Sequence, residues 1–202
     1  MRRRKLSPRK TPRQDRSRAT VEALLEATTD ILSREGSAKL TTNRIAERAG
    51  VNIASLYQYF PSKEAILVEL RRRHGEQERA GLRRLLEERR GGSLESTMRS
   101  LVALGVAGHA RQPKLHQALT EELPALTYRD IAETDAALID ATRRFLRGAG
   151  VTVRDLDLAL WMISTVGGAV LHRAAVERPG DLSSGAITEE LVRLLCRYLG
   201  GR

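Results

Sequence analysis

Apolar residues recur at helical spacing along almost the whole chain. The first run, in residues 21–32, places Val21, Leu24, Leu25 and Ile31 on one face and predicts a helix that ends near Gly36. No stretch alternates apolar and polar residues for long enough to indicate a strand. The pattern therefore predicts an all-α chain.

Glycine and proline divide the rest of the pattern into further helices. A long helix is predicted to begin at Ser62 and to end before residues 91–92, weakened in its interior by Gly75 and Gly81. Another long helix is predicted after Pro124, and residues 179–180 are predicted to form a turn. The predicted total is nine helices, or ten if the helix that begins at Ser62 is broken.

Residues 41–63, TTNRIAERAGVNIASLYQYFPSK, carry the densest set of helix start and stop signals. Thr41 or Thr42 can cap a first short helix, Gly50 suits its left-handed end, and Asn52 can cap a second helix. Two short helices joined by a glycine turn are either a helix-turn-helix or two core helices of an all-α protein. The polar residues and tyrosines of the second helix, together with the basic segment before it, favour the helix-turn-helix.

The stretch LTTNRIAERAGVNIASLYQYFPSKEAIL resembles the helix-turn-helix of the tetracycline-repressor (TetR/AcrR) family of transcriptional regulators. The matching residues are Thr41, Thr42, Ile45, Ala46, Ala49, Gly50, Val51, Leu56, Tyr57, Phe60, Lys63 and Glu64. The resemblance covers about residues 17–70, and the remainder matches in length and helical character only. It implies a three-helix helix-turn-helix DNA-binding domain followed by an α-helical ligand-binding and dimerisation domain. We therefore expect a basic arm over residues 1–16, the DNA-binding domain over 17–70 and the regulatory domain over 71–202.

Positive charge is concentrated at the N-terminal end. The net charge is +10 and the pI about 10.5, which favours an acidic partner such as nucleic acid. Residues 1–73 hold 17 Lys/Arg against 8 Asp/Glu, whereas residues 74–202 hold 18 against 17. Residues 1–18 alone hold nine basic residues and one acid. This segment is either a solubilising tail or an arm that follows phosphates or enters a minor groove.

The chain offers little sign of catalytic or metal chemistry. Cys196 is the only cysteine, and none of the four histidines pairs with another His or with Cys at metal-ligand spacing. Neither a glycine-rich phosphate loop nor a Gly-x-Ser-x-Gly motif is present. We expect no enzymatic activity, no metal and no cofactor. The basic N-terminus lacks the apolar core of a signal peptide, and the apolar run at 158–171 is short for a membrane span, so a cytoplasmic, nucleoid-associated protein is expected.

The resemblance also assigns DNA contacts. It places Ile53, Ala54, Ser55 and Tyr59 near base edges, and Thr42, Tyr57 and Lys63 at phosphates. Asn43 and Arg44 are expected at bases or phosphates. Tyr57 and Tyr59 are two residues apart and cannot both face one groove, so one of them is alternatively expected to pack on the first helix.

Residues 158–171 are apolar on nearly every face, which predicts burial on more than one side. One side of this helix is expected to pack on the domain's own core and the other on a second subunit across a two-fold axis. The resemblance implies the same arrangement, because the last two helices form the dimer interface in the TetR-like family. The predicted interface residues are Trp161, Gly168, Leu171, Ile187, Leu191, Leu195 and Tyr198.

The family keeps its effector site between the middle helices. The residues expected there are Met98, Leu101, His109, His116, Leu119, Leu123, Tyr128, Phe145, Trp161 and Thr165. Each of them is equally well explained by ordinary core packing. Such a lining, largely aliphatic with a few polar groups, suits a small apolar or amphipathic effector.

These observations predict a homodimeric, ligand-released repressor that binds a palindromic double-stranded DNA operator. The effector is expected to shift a conformational equilibrium by moving the helix that begins at Ser62. Two alternatives stay open. One is a sequence-nonspecific architectural DNA-binding protein, and the other is a helical small-molecule-binding protein or enzyme without DNA function.

Overall fold

The computed structural model describes residues 15–111, 113–122 and 135–200. Within these residues the chain is all-α. The described residues form ten α-helices, one short 3-10 helix at Ser37–Lys39 and no strand. The α-helices are α1 (Asp15–Glu35), α2 (Thr42–Arg48), α3 (Ile53–Tyr59), α4 (Lys63–Glu88), α5 (Leu94–Arg111), α6 (Pro113–Glu122), α7 (Ala136–Gly148), α8 (Leu156–Glu177), α9 (Pro179–Ser183) and α10 (Ala186–Tyr198).

The chain divides into two compact units. In the described part, unit 1 contains residues 15–75 and 113–122, and unit 2 contains residues 76–111 and 135–200. Helix α6 packs with the N-terminal helices, because its apolar face at Leu115, Ala118 and Leu119 joins the core that α1 lines. The expected domain boundary at residue 70 stays a prediction.

Unit 1 is built on the face of α1 that the sequence pattern predicted. Leu24, Ile31 and Leu32 are fully buried, and they share one apolar cluster with Leu40 and with residues of α2, α3, α4 and α6. Residues 15 and 16 of the expected basic arm are described, and residues 1–14 lie outside the described part of the chain.

Unit 2 contains α5, α7, α8, α9 and α10 and a second apolar cluster. Helix α5 contacts both α8 and α10. The approach to α8 is close at Gly105, where a Cβ would lie 2.6 Å from Leu171 Cδ1. A side chain at this position would require the Leu171 side chain to move, so the close contact favours glycine here in spite of its low helix propensity.

Helix α4 confirms the prediction of one long helix: it runs unbroken through Gly75 and Gly81, because interior glycines cost only about 1 kcal/mol each and neighbouring packing outweighs that. Two other helix predictions needed adjustment. The turn predicted at residues 179–180 is the start of the five-residue helix α9, with Pro179 at its first position. Helix α7 begins at Ala136, while the start predicted after Pro124 lies outside the described residues.

Helix α8 also passes the test of length and composition for a membrane-spanning helix, and it is the only such helix among the residues described. Its 22 residues exceed the apolar run at 158–171, so the expectation that this segment was too short does not hold for the whole helix. About 22% of its most apolar window is buried within the chain. Core helices of soluble proteins pass the same test, so length and composition alone do not indicate a membrane.

Candidate nucleic-acid interface

The two short helices of the motif are defined by local capping. Thr41 rather than Thr42 caps α2, because its Oγ1 accepts a hydrogen bond from the backbone N–H of Arg44 at 3.2 Å. Helix α3 is capped by Asn52, whose Oδ1 accepts from the N–H of Ala54 at 2.8 Å. Each cap satisfies one of the roughly four backbone donors that a helix leaves unpaired at its start.

The turn between the helices has a specific geometry. Gly50 adopts φ +65°, its N–H donates to the carbonyl of Glu47 at 3.1 Å, and the N–H of Val51 donates to that of Ala46 at 3.0 Å. This pair of bonds is a Schellman motif, which needs the left-handed residue that glycine provides without strain. The angle between α2 and α3 is therefore fixed by local hydrogen bonds as well as by the core.

Helix α3 has one buried side and one exposed side. Leu56 is fully buried, and Phe60 is fully buried directly after the helix. Ala54, Tyr57 and Gln58 are exposed, and Ile53 and Ser55 are half-buried at the edges. Positions 54, 57 and 58 follow i, i+3, i+4 spacing, so they form one continuous exposed face on a rigidly anchored helix.

The two tyrosines have different environments. Tyr57 is 42% exposed, and its hydroxyl lies 3.1 Å from Thr42 Oγ1 at the start of α2. Tyr59 is half-buried against the core of unit 1, and its hydroxyl donates to Ser17 Oγ of α1 at 3.1 Å. The structure thus places Tyr59 against α1 and not on the exposed face of α3. This was the alternative considered for one of the two rings, and it follows from the roughly 200° that separates them around the helix.

The two cations expected at DNA, Arg44 and Lys63, and a third that was not predicted there, Arg48, are held by acids of the same unit. Arg44 Nη2 contacts Glu35 Oε2 at 2.5 Å, and Lys63 Nζ contacts Glu122 Oε2 at 3.0 Å. Arg48 pairs with Glu35 at 2.7 Å and also with Asp30, whose hydrogen bond is the main cause of a raised Arg48 pKa. These acids were not predictable from the sequence, since no local spacing relates residues 9 to 59 positions apart.

Two further predicted contact residues lie in the first turn of α2. Asn43 is exposed in the first turn of α2, and Thr42 is half-buried beside the Tyr57 hydroxyl. Gln58 was not predicted as a contact, although it is exposed four residues after Ala54. Its helical spacing from Ala54 was a signal that could have identified it.

The residues expected at an effector site fall into different environments. Met98, Leu101 and Phe145 belong to the apolar cluster of unit 2, whereas Leu119 is 2% exposed in the cluster of unit 1. Thr165 is half-buried and Trp161 is 58% exposed. The side chain of His116, and Leu123 and Tyr128 altogether, lie outside the described residues.

His109 is the one effector candidate with a described aromatic neighbour. Its ring meets that of His172 edge-on, with centroids 5.8 Å apart, and its Nδ1 lies 2.9 Å from the Gly105 carbonyl oxygen. In the part of the chain that is described, no three His, Cys, Asp or Glu side chains are arranged to hold a metal ion.

The predicted dimer residues divide into two sets. Trp161 and Tyr198 are exposed, Ile187 is half-buried, and Gly168 has no atom within 4 Å of a Cβ position. In contrast, Leu171, Leu191 and Leu195 are 7%, 2% and 6% exposed and form the protomer's own core. Their apolar faces are already covered by the other helices of unit 2, so their side chains do not form an outer surface. Three further large apolar residues of α8 and α10 are exposed but were not among the predicted interface residues: Leu158, Val176 and Leu194.

Comparison with known proteins agrees with this architecture. The profile of bacterial regulatory proteins of the tetR family matches residues 24–70, and that of the tetracyclin repressor-like C-terminal domain matches residues 93–199. The helix-turn-helix and the domain that follows it are those of a DNA-binding transcriptional regulator. This chain belongs to the TetR family. Regulators of this family are generally not enzymes.

Solved structures share the fold over nearly the whole chain. The fatty acid degradation regulator FadR from Bacillus halodurans is 19% identical with a TM-score of 0.60, covering 95% of this chain and all of the other. A putative tetR family regulator from Shewanella sp. PV-4 has a TM-score of 0.63 at 16% identity, covering 89% and 97%. RolR, solved in complex with resorcinol, has a TM-score of 0.59 at 16% identity, covering 94% and 92%.

A curated relative is similar over a shorter stretch. The nucleoid occlusion factor SlmA from Aliivibrio fischeri is 40% identical over 57 residues, which is 28% of this chain and 26% of that protein. The chain thus matches only about a quarter of the length of this relative.

Proposed function

We propose that the protein is a homodimeric repressor that binds a palindromic DNA operator through α3 and is released by a small apolar or amphipathic molecule. The observation that carries the proposal is the exposed face of α3 formed by Ala54, Tyr57 and Gln58 on a helix anchored by Leu56. A seven-residue helix with one face buried and the other free is the form in which a helix enters a major groove.

Base reading is assigned to the short side chains and the amide of this face. Ala54 and Ser55 let the helix lie deep in the groove and suit thymine methyl groups and single hydrogen bonds, with Ile53 at the edge. Gln58 adds an amide, the group that pairs in a bidentate way with adenine. Tyr59 is withdrawn from this set because of its bond to Ser17.

Phosphate contacts are assigned to the rim of the motif. Thr42 and Tyr57 present two hydroxyls 3.1 Å apart, and Asn43 lies exposed beside them. Arg44 and Lys63 contribute only by exchanging their carboxylate partners for phosphates. Because residues 1–14 hold seven Lys/Arg and no acid, most of the nonspecific attraction is assigned to the arm.

The dimer is assigned to the outer faces of α8 and α10. Leu158, Trp161, Val176, Leu194 and Tyr198 are large apolar residues left exposed on these two helices, which contact each other. A monomeric protein rarely leaves so many large apolar residues exposed to solvent on adjacent helices, so we infer that a second subunit covers them. An interface with a second subunit also explains the membrane-like composition of α8. We therefore assign the protein to the cytoplasm.

The effector site is assigned to unit 2, around Met98, Leu101, His109, Phe145 and Thr165. The apolar cluster offers the bulk of a lining, and the His109–His172 pair offers polar groups in the same unit. The relative RolR was solved with resorcinol, so this fold accommodates a small molecule in at least one case.

Selection of bound duplexes from a random library tests the function. We expect a palindrome whose half-sites lie about 34–36 Å apart along the duplex, bound far more tightly than random DNA. Enrichment without a consensus would support the architectural alternative, and no binding at all would support a helical small-molecule-binding protein.

A further inference from the structure

We propose that Glu122 is an internal competitor of the DNA phosphate for Lys63, so that the end of α6 sets the affinity of the protein for DNA. This inference rests on the proposed function, in which Lys63 binds a phosphate. It adds a residue outside the helix-turn-helix that opposes binding.

The pair is well placed for such competition. Lys63 is the first residue of α4, four residues after α3 ends, and its Nζ lies 3.0 Å from Glu122 Oε2. The two side chains are 29% and 25% exposed, so the contact is partly shielded from water and yet open to an approaching anion. A phosphate reaching Lys63 from the side of α3 would meet a cation that is already neutralised.

Glu122 is held in position by the packing of α6. Leu115, Ala118 and Leu119 are buried in the core of unit 1, and α6 contacts α1. Glu122 lies at the last turn of this anchored helix, so its carboxylate is presented to Lys63 by the fold and not by a flexible chain end.

Glu122 differs in this respect from the acids around α2. Glu35 and Asp30 belong to α1, which forms the helix-turn-helix framework itself, and each pairs with an arginine of α2. Glu122 is 59 residues away from its partner and belongs to a separate stretch of the sequence. The Lys63–Glu122 contact therefore depends on where α6 lies, whereas the α1–α2 contacts do not.

Electrostatics predicts exchange and not sharing. One ammonium group between a carboxylate and a phosphate leaves two anions within a few ångströms of each other, and like charges at that distance repel. Lys63 therefore satisfies either Glu122 or the phosphate. By linkage, anything that strengthens the Lys63–Glu122 contact weakens DNA binding, and DNA binding weakens that contact by the same factor.

Four proteins test the proposal: the wild type, Lys63→Gln, Glu122→Gln and the double variant. The readout is the dissociation constant for the operator selected from the random library, measured by fluorescence anisotropy. Because ion pairs of this exposure are weak, we expect Glu122→Gln to tighten binding about two- to fivefold per subunit. In the Lys63→Gln background, Glu122→Gln should leave the dissociation constant unchanged, since no ammonium group remains for the carboxylate and the phosphate to compete for.

Two controls separate this account from simpler ones. Glu26→Gln removes the same charge from an exposed position of α1 and measures the general effect of net charge. Thermal unfolding followed by circular dichroism shows whether each variant is folded.

The outcomes are distinct. Equal tightening by Glu122→Gln in both backgrounds would show a general charge effect, and weaker binding would show that Glu122 orients Lys63 for DNA; either result overturns the proposal. If the wild type selects no preferred duplex, the proposed function fails together with this inference. If it does and the coupling is absent, only the inference fails.

Discussion

The hydroxyl of Tyr59 donates a hydrogen bond to Ser17 Oγ over 3.1 Å, and this bond joins the last residue of α3 to the first turns of α1. Tyr57, two residues earlier, has its hydroxyl beside Thr42 on the other side of the helix. Helix α3 is therefore tied to α1 by one tyrosine and presents the other one outward.

This division of roles predicts opposite effects for two matched changes. Tyr59→Phe should lower the free energy of unfolding by about 1 kcal/mol and leave the relative affinities for DNA sequences unchanged, because it removes one intramolecular hydrogen bond. Tyr57→Phe should weaken binding to all sequences alike, by about 1 kcal/mol, because a phosphate contact carries no sequence information. Urea unfolding and operator titrations measure the two quantities, and a loss of base preference in Tyr59→Phe would contradict the assignment.

The outer face of α8 predicts where the dimer can be broken. Trp161→Glu and Gly168→Arg should yield folded monomers, because both positions face outward and a charge in a subunit interface has no partner. Leu195→Glu is the contrasting variant and should unfold unit 2, since Leu195 is 6% exposed in the protomer core. Sedimentation with circular dichroism distinguishes these results. Fully dimeric Trp161→Glu and Gly168→Arg proteins with normal DNA binding would place the interface elsewhere.

A buried carboxylate predicts a pH dependence of stability. Burial opposes ionisation of Glu69, but the hydrogen bonds from Arg72 and Arg73 outweigh it and leave its pKa below the usual 4.5. Since the folded pKa is depressed, the contribution is complete above about pH 4.5 and is lost as the pH falls through the folded value.

Glu69→Gln should accordingly cost roughly 1–3 kcal/mol at pH 7 and less at pH 3, because hydrogen bonds to charged groups are stronger than neutral ones. Urea unfolding at the two pH values measures the difference. Glu26→Gln, at an exposed position of α1, is the matched control and should have only a small effect on the free energy of unfolding. An equal cost of Glu69→Gln at both pH values would contradict the role given to its arginine partners.

The arm predicts a salt effect. Deleting residues 1–10 removes six Lys/Arg, and each phosphate no longer neutralised should reduce the slope of log affinity against log salt by about 0.9. The preferred operator should stay the same, because phosphate contacts carry no sequence information. Titrations at several salt concentrations measure the slope, and an unchanged slope would leave the arm as a solubilising tail.

Local features of the fold were predictable from the sequence, and distant pairings were not. Gly50 predicts a helix end because glycine adopts a positive φ without strain, and Asn52 predicts a helix start because its side chain can cap backbone donors. The structure confirms both. The Lys63–Glu122 pair joins residues 59 apart, and its existence depends on how α6 packs. Apolar periodicity alone gave no reason to place α6 with the N-terminal helices.

The apolar helices show the same limit within a single element. Leu194 and Leu195 are adjacent leucines of α10, and the first is 52% exposed while the second is 6% exposed. Their residue type predicts burial for both. Only the packing of α10 against α5 decides which side faces the protomer's own core and which is left for another surface.

The most direct test of the account is whether α3 reads bases. Ser55→Arg and Gln58→Ala should each change the order of preference among single-base variants of the selected half-site. The change should be confined to one or two positions and amount to about 1–3 kcal/mol of discrimination. Titration of both variants and the wild type against every single-base variant gives that order directly. If total affinity shifts while the order stays as in the wild type for both, α3 does not read the groove and the central assignment is contradicted.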